Sequence, residues 1–494
     1  MRIPPRSAHI GINLAGLAYW TKQFPFADLM KNSGDWAARD ARGADFGSLR
    51  LTPDGYPAVL ERGQRADRAV AWNDARYAPG QYVVLWEGDG EIGFPNVAAK
   101  VASRSPHRIV LDVADTRGAL WVSIEKTNVA DPVRNVRFLW PGSEATHPAQ
   151  PFNPEFLAKI APFRSLRFMD WAATNGSPVV RWSERALPTD VSYASRGVPL
   201  EAMIDLANEL QAEPWFCIPH RADDDFVRRF ALLLRSRLDP RRVATIEYSN
   251  EVWNGSFEQA RWAVAESARL GLPLAGGQAA AFYAERTRRI AAIVSEAFGA
   301  AERKRWRAVI AGQAAWTNFA TAALGWKDTA TKVDVLAIAP YFQAAGAAEP
   351  AQIDATLALA PEQLIGQMRA NIRDVVRPRI VENARLAQRH GLALDGYEGG
   401  AHDSSSYFPA ARHDPLTALF AAAHRSPRMR EVYREYLETW IAAGGGTLNQ
   451  YNDIGKWSKW GLWGALEYVT EDPSTAPKYQ ALLDTIAAHP LAAR

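Results

Sequence analysis

Two glutamates in this sequence stand where a strand-like run ends. Glu251 lies in "SNEVWN", after the β-prone run 244–248, and Glu398 lies in "DGYEGG" at the end of a second such run. Two carboxylic side chains can cleave a glycosidic bond: one protonates the leaving oxygen, and the other attacks the anomeric carbon when the two lie about 5 Å apart. One must stay protonated and the other ionised, so their surroundings must differ.

Only the fold can bring the two residues together, since they are 147 positions apart (398 minus 251). Strand-like and helix-like runs alternate along most of the chain, and eight alternating strands close a parallel barrel. A doubly wound sheet is the alternative, but it requires a Gly-rich turn after an early strand. We therefore predict a (β/α)8 TIM barrel over 1–42 and 150–494, with strands within 9–14, 165–171, 213–220, 244–249, 305–312, 333–341, 392–398 and 445–452.

A β-rich segment interrupts this alternation after the first strand. Between 43 and 149 the sequence has short β-prone runs separated by turns, such as "QYVVLWE", "RIVLDV" and "LWVSIEK". This texture predicts an inserted antiparallel sandwich. The segment "GDGEIG" has the glycine spacing of a dinucleotide-binding loop, but no clean helix follows and Asp89 and Glu91 would repel a pyrophosphate. We interpret it as a hairpin turn.

The two glutamate motifs, each at the end of a barrel strand, resemble those of the clan A glycoside hydrolases. These are retaining (β/α)8 enzymes with an Asn-Glu acid/base on strand four and a Glu nucleophile on strand seven. The resemblance implies that Glu251 is the acid/base, that Glu398 is the nucleophile and that Asn250 holds the sugar 2-hydroxyl, while Trp253 shapes the cleft. Many members have Pro after the Asn-Glu pair, whereas this chain has Val252, so the particular family and its substrate stay open.

Other residues near predicted strand ends are candidates for supporting roles. Tyr341 in "APYF" is placed like the clan's strand-six tyrosine, which donates a hydrogen bond to the nucleophile; a buried structural tyrosine is the alternative. His220 could contact the acid/base or substrate, or be a core histidine. Arg167 and Asp170 could pair with each other or touch the nucleophile, and Asn13 is a candidate of the same kind.

Tryptophan is frequent in this sequence, at 18 residues, and indole faces suit the flat faces of sugar rings. Trp457, Trp460 and Trp463 follow the last predicted strand at three-residue spacing, and the glycines between them favour a loop over a helix. We predict that this loop places stacking platforms over the barrel mouth. Trp316 and Trp171 are further platform candidates.

Composition and charge argue against several other classes of protein. The 494 residues are 48% hydrophobic with a formal charge of +3 and no basic stripe, which gives little support for a nucleic-acid partner. No apolar run reaches the roughly 18 residues of a membrane span. The one cysteine, Cys217, excludes an internal disulfide framework and a cysteine-rich metal site, and its apolar neighbours indicate an inert core thiol.

We expect neither a metal nor another cofactor, because two side chains supply both catalytic groups. The segment "AHDSSSYFPAARHD" contains His402, Asp403, His413 and Asp414, but their spacing matches no compact zinc motif. We interpret this segment as a mobile loop flanking the nucleophile.

The sequence thus predicts a retaining β-glycoside hydrolase, acting as a monomer on a β-linked polysaccharide or oligosaccharide, most simply a β-glucan. The sequence is compatible both with cleavage within the sugar chain and with cleavage from its end. Two alternatives are a carbohydrate-binding barrel that has lost catalysis and a metal-dependent barrel hydrolase or isomerase acting on small molecules. The start of the chain lacks a secretory apolar region, so we expect a cytoplasmic protein, or an extracellular or periplasmic one if a leader has been removed.

Overall fold

The computed structural model describes residues 7, 9–95, 99–344 and 353–491. Eight parallel strands close into a barrel in which the eighth pairs with the first. This confirms the predicted (β/α)8 barrel. We number them barrel strands 1 to 8: Ile10–Asn13, Ser165–Arg167, Glu213–Ile218, Ala244–Tyr248, Trp306–Ala311, Val335–Ile338, Ala393–Gly396 and Leu448–Gln450.

Helices connect these strands and cover the outside of the barrel. Asp223 caps Asp224–Arg237 by accepting a hydrogen bond from the Phe226 amide, and five apolar residues of this helix are buried: Phe226, Val227, Phe230, Ala231 and Leu234. The α-helices are Pro154–Ile160, Leu200–Glu209, Asp224–Arg237, Glu258–Leu270, Ala280–Phe298, Asn318–Leu324, Ile353–Leu357, Pro361–Asn371, Arg377–Arg389, His413–Arg425, Met429–Ala442 and Pro477–Ala488. Shorter 3₁₀ and π segments are Leu29–Asn32, Trp182–Glu184, Ala300–Arg305, Thr329–Thr331, Ile372–Val376, Ala410–Arg412 and Pro473–Thr475.

The insert after barrel strand 1 consists of antiparallel sheets. One four-stranded sheet has the order Ala37–Arg39, Arg65–Ala71, Leu120–Thr127, Gly90–Gly93, and the other has the order Arg134–Leu139, Gly80–Glu87, Arg108–Val113, Ala99–Ser105. A two-stranded ribbon pairs Arg50–Leu51 with Pro57–Val59. The first strand, Ala37–Arg39, lies a few residues before 43, the predicted start of the insert.

The "GDGEIG" segment contains a turn at Gly88 and Asp89, but the hairpin interpretation was wrong. It connects Gly80–Glu87 to Gly90–Gly93, and these strands belong to different sheets. Gly88 has a φ of 81°, a conformation that glycine adopts without strain. The segment therefore carries the chain from one sheet of the insert to the other.

The barrel interior is apolar over much of its length and polar near its mouth. Trp215, Cys217, Val309 and Val335 are among the buried residues that fill it, and the thiol of Cys217 donates a hydrogen bond to Glu247 at 3.4 Å. Polar side chains emerge where the strands end, which is the face on which barrel enzymes carry their active sites. In the described part of the chain, no helix has the length and apolar character needed to cross a membrane.

Candidate active site

Glu251 lies just past the end of barrel strand 4. The strand stops at Tyr248, and the backbone then turns sharply, with φ of 59° at Ser249 and 43° at Glu251. Residues other than glycine rarely adopt a positive φ, and such backbone strain is concentrated at functional sites. Both carboxyl oxygens have donors: the Tyr397 hydroxyl donates to Oε1 at 3.0 Å, and the Asn254 amide donates to Oε2 at 2.9 Å.

Glu398 lies two residues past the end of barrel strand 7 and is buried. Arg167 Nη1 donates to its Oε1 at 2.8 Å, and the Tyr341 hydroxyl donates to its Oε2 at 2.9 Å. A cation and a hydroxyl donor both stabilise the ionised form of a carboxyl group. Glu398 is therefore held in place by a cation and a hydroxyl donor.

The two glutamates influence each other. Burial, and next the negative charge of Glu398, raise the pKa of Glu251 to about 7. Tyr397, which donates to Glu251, immediately precedes Glu398 in the chain. The site therefore combines a carboxyl group whose pKa is raised, Glu251, with a second carboxyl group that an arginine holds, Glu398, and acid-assisted bond cleavage requires two such unlike surroundings.

Arg167 joins several of the residues named from the sequence. Besides Glu398, it donates to Glu247 at 2.9 Å, to Asn250 Oδ1 at 2.9 Å and to Asn13 Oδ1 at 3.1 Å. Burial opposes its charge, but Glu247 and other neighbours more than offset this and hold the pKa of Arg167 well above its ordinary value. The structure thus gathers Asn13, Arg167 and Asn250 around the base of the site.

Asp170 also lies at the site, and its hydrogen-bond partner is Tyr451. The Tyr451 hydroxyl donates to Asp170 Oδ2 at 3.1 Å. Burial and the charge of Glu398 raise the pKa of Asp170 to about 6. Rings line this wall, with centroid distances of 5.5 Å for Tyr451–Trp463, 5.7 Å for Trp463–His402 and 5.0 Å for His402–Tyr341.

A cleft of about 350 Å³ opens beside Glu251 and the two tyrosines that donate to the glutamates, Tyr341 and Tyr397. Its lining mixes polar and aromatic side chains, which suits a ligand rich in hydroxyl groups with flat apolar faces; it includes Glu251, Trp253, Asn254, Gln313, Tyr341, Tyr397, His402 and Tyr407. Trp316 and Trp460 are 69% and 63% exposed, on the loops after barrel strands 5 and 8. Both are free to contact a large ligand.

Two predicted stacking platforms were wrong, because the side chains lie in the core. Trp171 is fully buried against Phe26, Phe156 and Phe168. Trp457 is buried, donates to the Gly464 carbonyl at 3.0 Å and has the Lys478 ammonium 4.3 Å from its ring centre. Both tryptophans stabilise the fold instead of facing a substrate.

His220 is likewise a core residue. It is fully buried, lies edge-on to Trp262 and accepts a hydrogen bond from Arg221 Nε at 3.2 Å. Burial and the charge of Arg221 lower the pKa of His220 to about 4. The imidazole is therefore neutral and closed off from a substrate, so the predicted substrate contact was wrong.

The segment 401–414 does not gather its histidines and aspartates into one group. Asp403 is buried and pairs with His424 at 2.9 Å, whereas His413 starts a helix and contacts the Phe408 carbonyl at 2.8 Å. Within the described ranges, no set of three or more His, Cys, Asp or Glu side chains is arranged to hold a metal ion.

Sequence reasoning missed three residues that hold the acidic groups: Tyr397, Asn254 and Tyr451. Tyr397 precedes Glu398 in the quoted motif and could have been singled out by position. Asn254 lies three residues after Glu251, within reach across a tight turn. Tyr451 directly follows the last residue of barrel strand 8, and a polar residue at a strand end is the same signal that identified the other candidates.

Comparisons with known proteins give matches in structure alone. No family model matches the sequence, and no curated protein matches it. One solved match concerns fungal β-1,4-galactanases, at 11% identity over 67% of this chain and 91% of that chain, with a TM-score of 0.37. An endo-1,4-β-D-mannanase from Thermotoga petrophila is 12% identical over 67% and 94%, with a TM-score of 0.34. The CBM22-1 and GH10 modules of a Clostridium thermocellum endo-1,4-β-D-xylanase, complexed with xylohexaose, are 8% identical over 96% and 98%, with a TM-score of 0.41.

Proposed function

We propose that this protein is a retaining β-glycoside hydrolase in which Glu251 is the acid/base and Glu398 is the nucleophile. One observation carries the proposal: at the mouth of the barrel, Glu398 is held by Arg167 and Tyr341 while its charge helps to keep Glu251 protonated. These environments match the different protonation states that the two steps require.

In the first step, a Glu398 oxygen attacks the anomeric carbon and the bond from that carbon to the leaving oxygen breaks. The proton of Glu251 goes to the leaving oxygen, so a glycosyl ester forms on Glu398 and Glu251 becomes a carboxylate. The ester carries no charge, so one cause of the raised pKa of Glu251 is removed. Glu251 can then take a proton from water, whose oxygen attacks the anomeric carbon and releases Glu398.

The proposed substrate is a β-linked polysaccharide or oligosaccharide, with a β-glucan as the first choice. Asn250 supports this, because Arg167 and Asn175 hold its side chain, at 2.9 Å and 3.1 Å, in the floor of the site where a sugar hydroxyl would lie. The cleft has a mixed polar and aromatic lining, and Trp316 and Trp460 are exposed on the loops after barrel strands 5 and 8.

The test is hydrolysis of a panel of β-glucan, xylan, mannan and galactan, with the anomer of the first product followed by NMR. We expect cleavage of at least one polymer with retained configuration, no cleavage by Glu398→Gln and no effect of a chelator. Loss of activity in chelator would favour the metal-dependent alternative. Binding without cleavage by the wild-type protein would favour a carbohydrate-binding barrel, and inversion would contradict the nucleophile assignment.

A further inference from the structure

The exposed aromatic side chains gather at the mouth of the barrel. Over the described ranges, the aromatic residues with large exposed surfaces are Trp20, Trp72, Trp316, Tyr407 and Trp460. Four of them lie in loops that follow barrel strands 1, 5, 7 and 8. The fifth, Trp72, follows a strand of the insert, and its amide donates to the Tyr19 carbonyl at 2.8 Å, in the loop after barrel strand 1.

Four of the rings on this face form a continuous row, which we call the insert stripe: Tyr19, Trp20, Trp72 and Trp121. Consecutive ring centres lie 4.7 Å apart for Trp20–Tyr19, 5.5 Å for Tyr19–Trp72 and 6.0 Å for Trp72–Trp121, with interplanar angles of 81°, 69° and 58°, so neighbouring rings are steeply inclined to one another. Trp20 is 58% exposed and Trp72 is 42% exposed, while the other two are partly exposed. Two residues of the stripe, Tyr19 and Trp20, lie in the loop after barrel strand 1, and the other two, Trp72 and Trp121, lie in the insert.

Contacts within the fold hold Tyr19 and Trp121 in place. The Tyr19 ring packs on Gly34, where a Cβ atom would lie 2.9 Å from ring carbon Cδ1, so a larger residue there would displace the ring. Trp121 belongs to the insert strand Leu120–Thr127, which pairs with the strand preceding Trp72. Rings fixed in advance lose little entropy when they bind a ligand.

The loop that carries part of the stripe also contacts the candidate active site. The loop that carries Tyr19 and Trp20 starts at Ala15, whose amide donates to Asp453 Oδ1 at 2.9 Å. The next residue, Gly16, packs on Asp170, whose Cβ would lie 3.6 Å from a Cβ at that position. The loop therefore runs from the wall of the site to the stripe.

We infer that the insert stripe is a stacking surface for a neutral β-linked polysaccharide whose chain continues from the cleft onto the insert. The inference rests on the proposed function for the identity of the ligand. Flat apolar faces of sugar rings suit the exposed indole rings of Trp20 and Trp72, and the loop that carries Trp20 packs on Asp170 in the wall of the site. On this inference, the insert helps to bind long substrates.

The binding test uses the full chain with Glu398→Gln, retained in affinity gels containing β-glucan, xylan, mannan or galactan. We expect Trp72→Ala and Trp20→Ala each to weaken retention about tenfold, whereas Trp72→Tyr keeps most of it. Leu232→Ala, which removes an exposed apolar side chain from the helix Asp224–Arg237, is the matched control and should bind like the parent.

In the active protein, the ratio of kcat/KM on the polymer to kcat/KM on a small aryl glycoside should fall in the Trp72→Ala variant. Unchanged retention, an unchanged ratio or a parent that no polymer retains would each overturn the inference. Self-association that Trp72→Ala abolishes, with polymer binding intact, would assign the surface to a second copy of the chain. Retention that depends on the stripe, without hydrolysis of any polymer, would overturn the proposed function and leave the stacking surface standing.

Discussion

Arg167 Nη1 lies 2.8 Å from Glu398 Oε1, and Nη2 of the same guanidinium lies 2.9 Å from Glu247 Oε2. One buried cation therefore contacts two carboxyl groups, one within barrel strand 4 and one just past the end of barrel strand 7. Arg167 and Glu247 are fully buried, so water does not screen their charges. The proposed nucleophile is thus positioned by the barrel core, while its second donor, Tyr341, comes from the loop after barrel strand 6.

Arg167→Met should destabilise the protein strongly, since it leaves the buried carboxylate of Glu247 without its cation. We expect the free energy of unfolding in urea to fall by about 3–5 kcal/mol. The double variant Arg167→Met with Glu247→Gln should recover part of this loss. Arg164→Met is the control on the same segment, because Arg164 forms a partly exposed pair with Glu213, and its loss should cost about 1 kcal/mol. Equal losses in the two single variants would contradict the central role of Arg167.

Tyr341→Phe should lower kcat/KM by about 10- to 100-fold, the range expected for the loss of a hydrogen bond to a charged group. The phenylalanine ring fills the same space but no longer donates to Glu398 Oε2. Tyr407→Phe, at an exposed position of the same cleft, is the control, and we expect a change of no more than about threefold. Steady-state kinetics on an aryl β-glycoside that the wild type cleaves would measure both. Similar effects in the two variants would contradict a specific role of Tyr341.

The barrel could be predicted because its strands and helices alternate along the chain, and Glu251 and Glu398 were found because strand ends can be read from that alternation. Whether a given tryptophan is buried could not be predicted from the sequence in this way. Trp171 and Trp460 have identical side chains, yet one packs on three phenylalanines and the other faces solvent. The position of Tyr397 beside Glu398 is visible in the sequence, but its hydrogen bond to Glu251 crosses from the end of barrel strand 7 to the end of barrel strand 4, and local sequence does not show such a contact.

Activity should depend on the protonated form of Glu251. Because burial and Glu398 raise the pKa of Glu251 to about 7, the protonated fraction decreases as the pH rises through that value. We expect kcat/KM on a natural glycan to fall about tenfold per pH unit well above pH 7. The Glu251→Ala variant, assayed on an activated aryl glycoside, should lack this alkaline limb. A limb that persists in the variant would assign it to another group.

The loss caused by Glu251→Ala should also depend on the leaving group. Natural glycans need protonation of the leaving oxygen, so their turnover should fall by about 10²–10⁴-fold. An aryl glycoside with a strongly acidic phenol needs little protonation, and the formation of its glycosyl ester should be nearly unaffected. Burst kinetics with the aryl substrate would show rapid release of the phenol followed by slow hydrolysis. Equal losses on both substrates would remove Glu251 from the acid/base role.

The most direct test of the account is to trap the covalent intermediate on Glu398. A 2-deoxy-2-fluoro β-glycoside with a good leaving group slows the second step, because fluorine disfavours the positive charge that develops at the anomeric carbon. We expect the intact protein to gain the mass of one fluorosugar, and its digested peptides to carry that mass on Glu398. Label on another residue, or continued turnover with inverted configuration and no label, would contradict the assignment of Glu398 as the nucleophile.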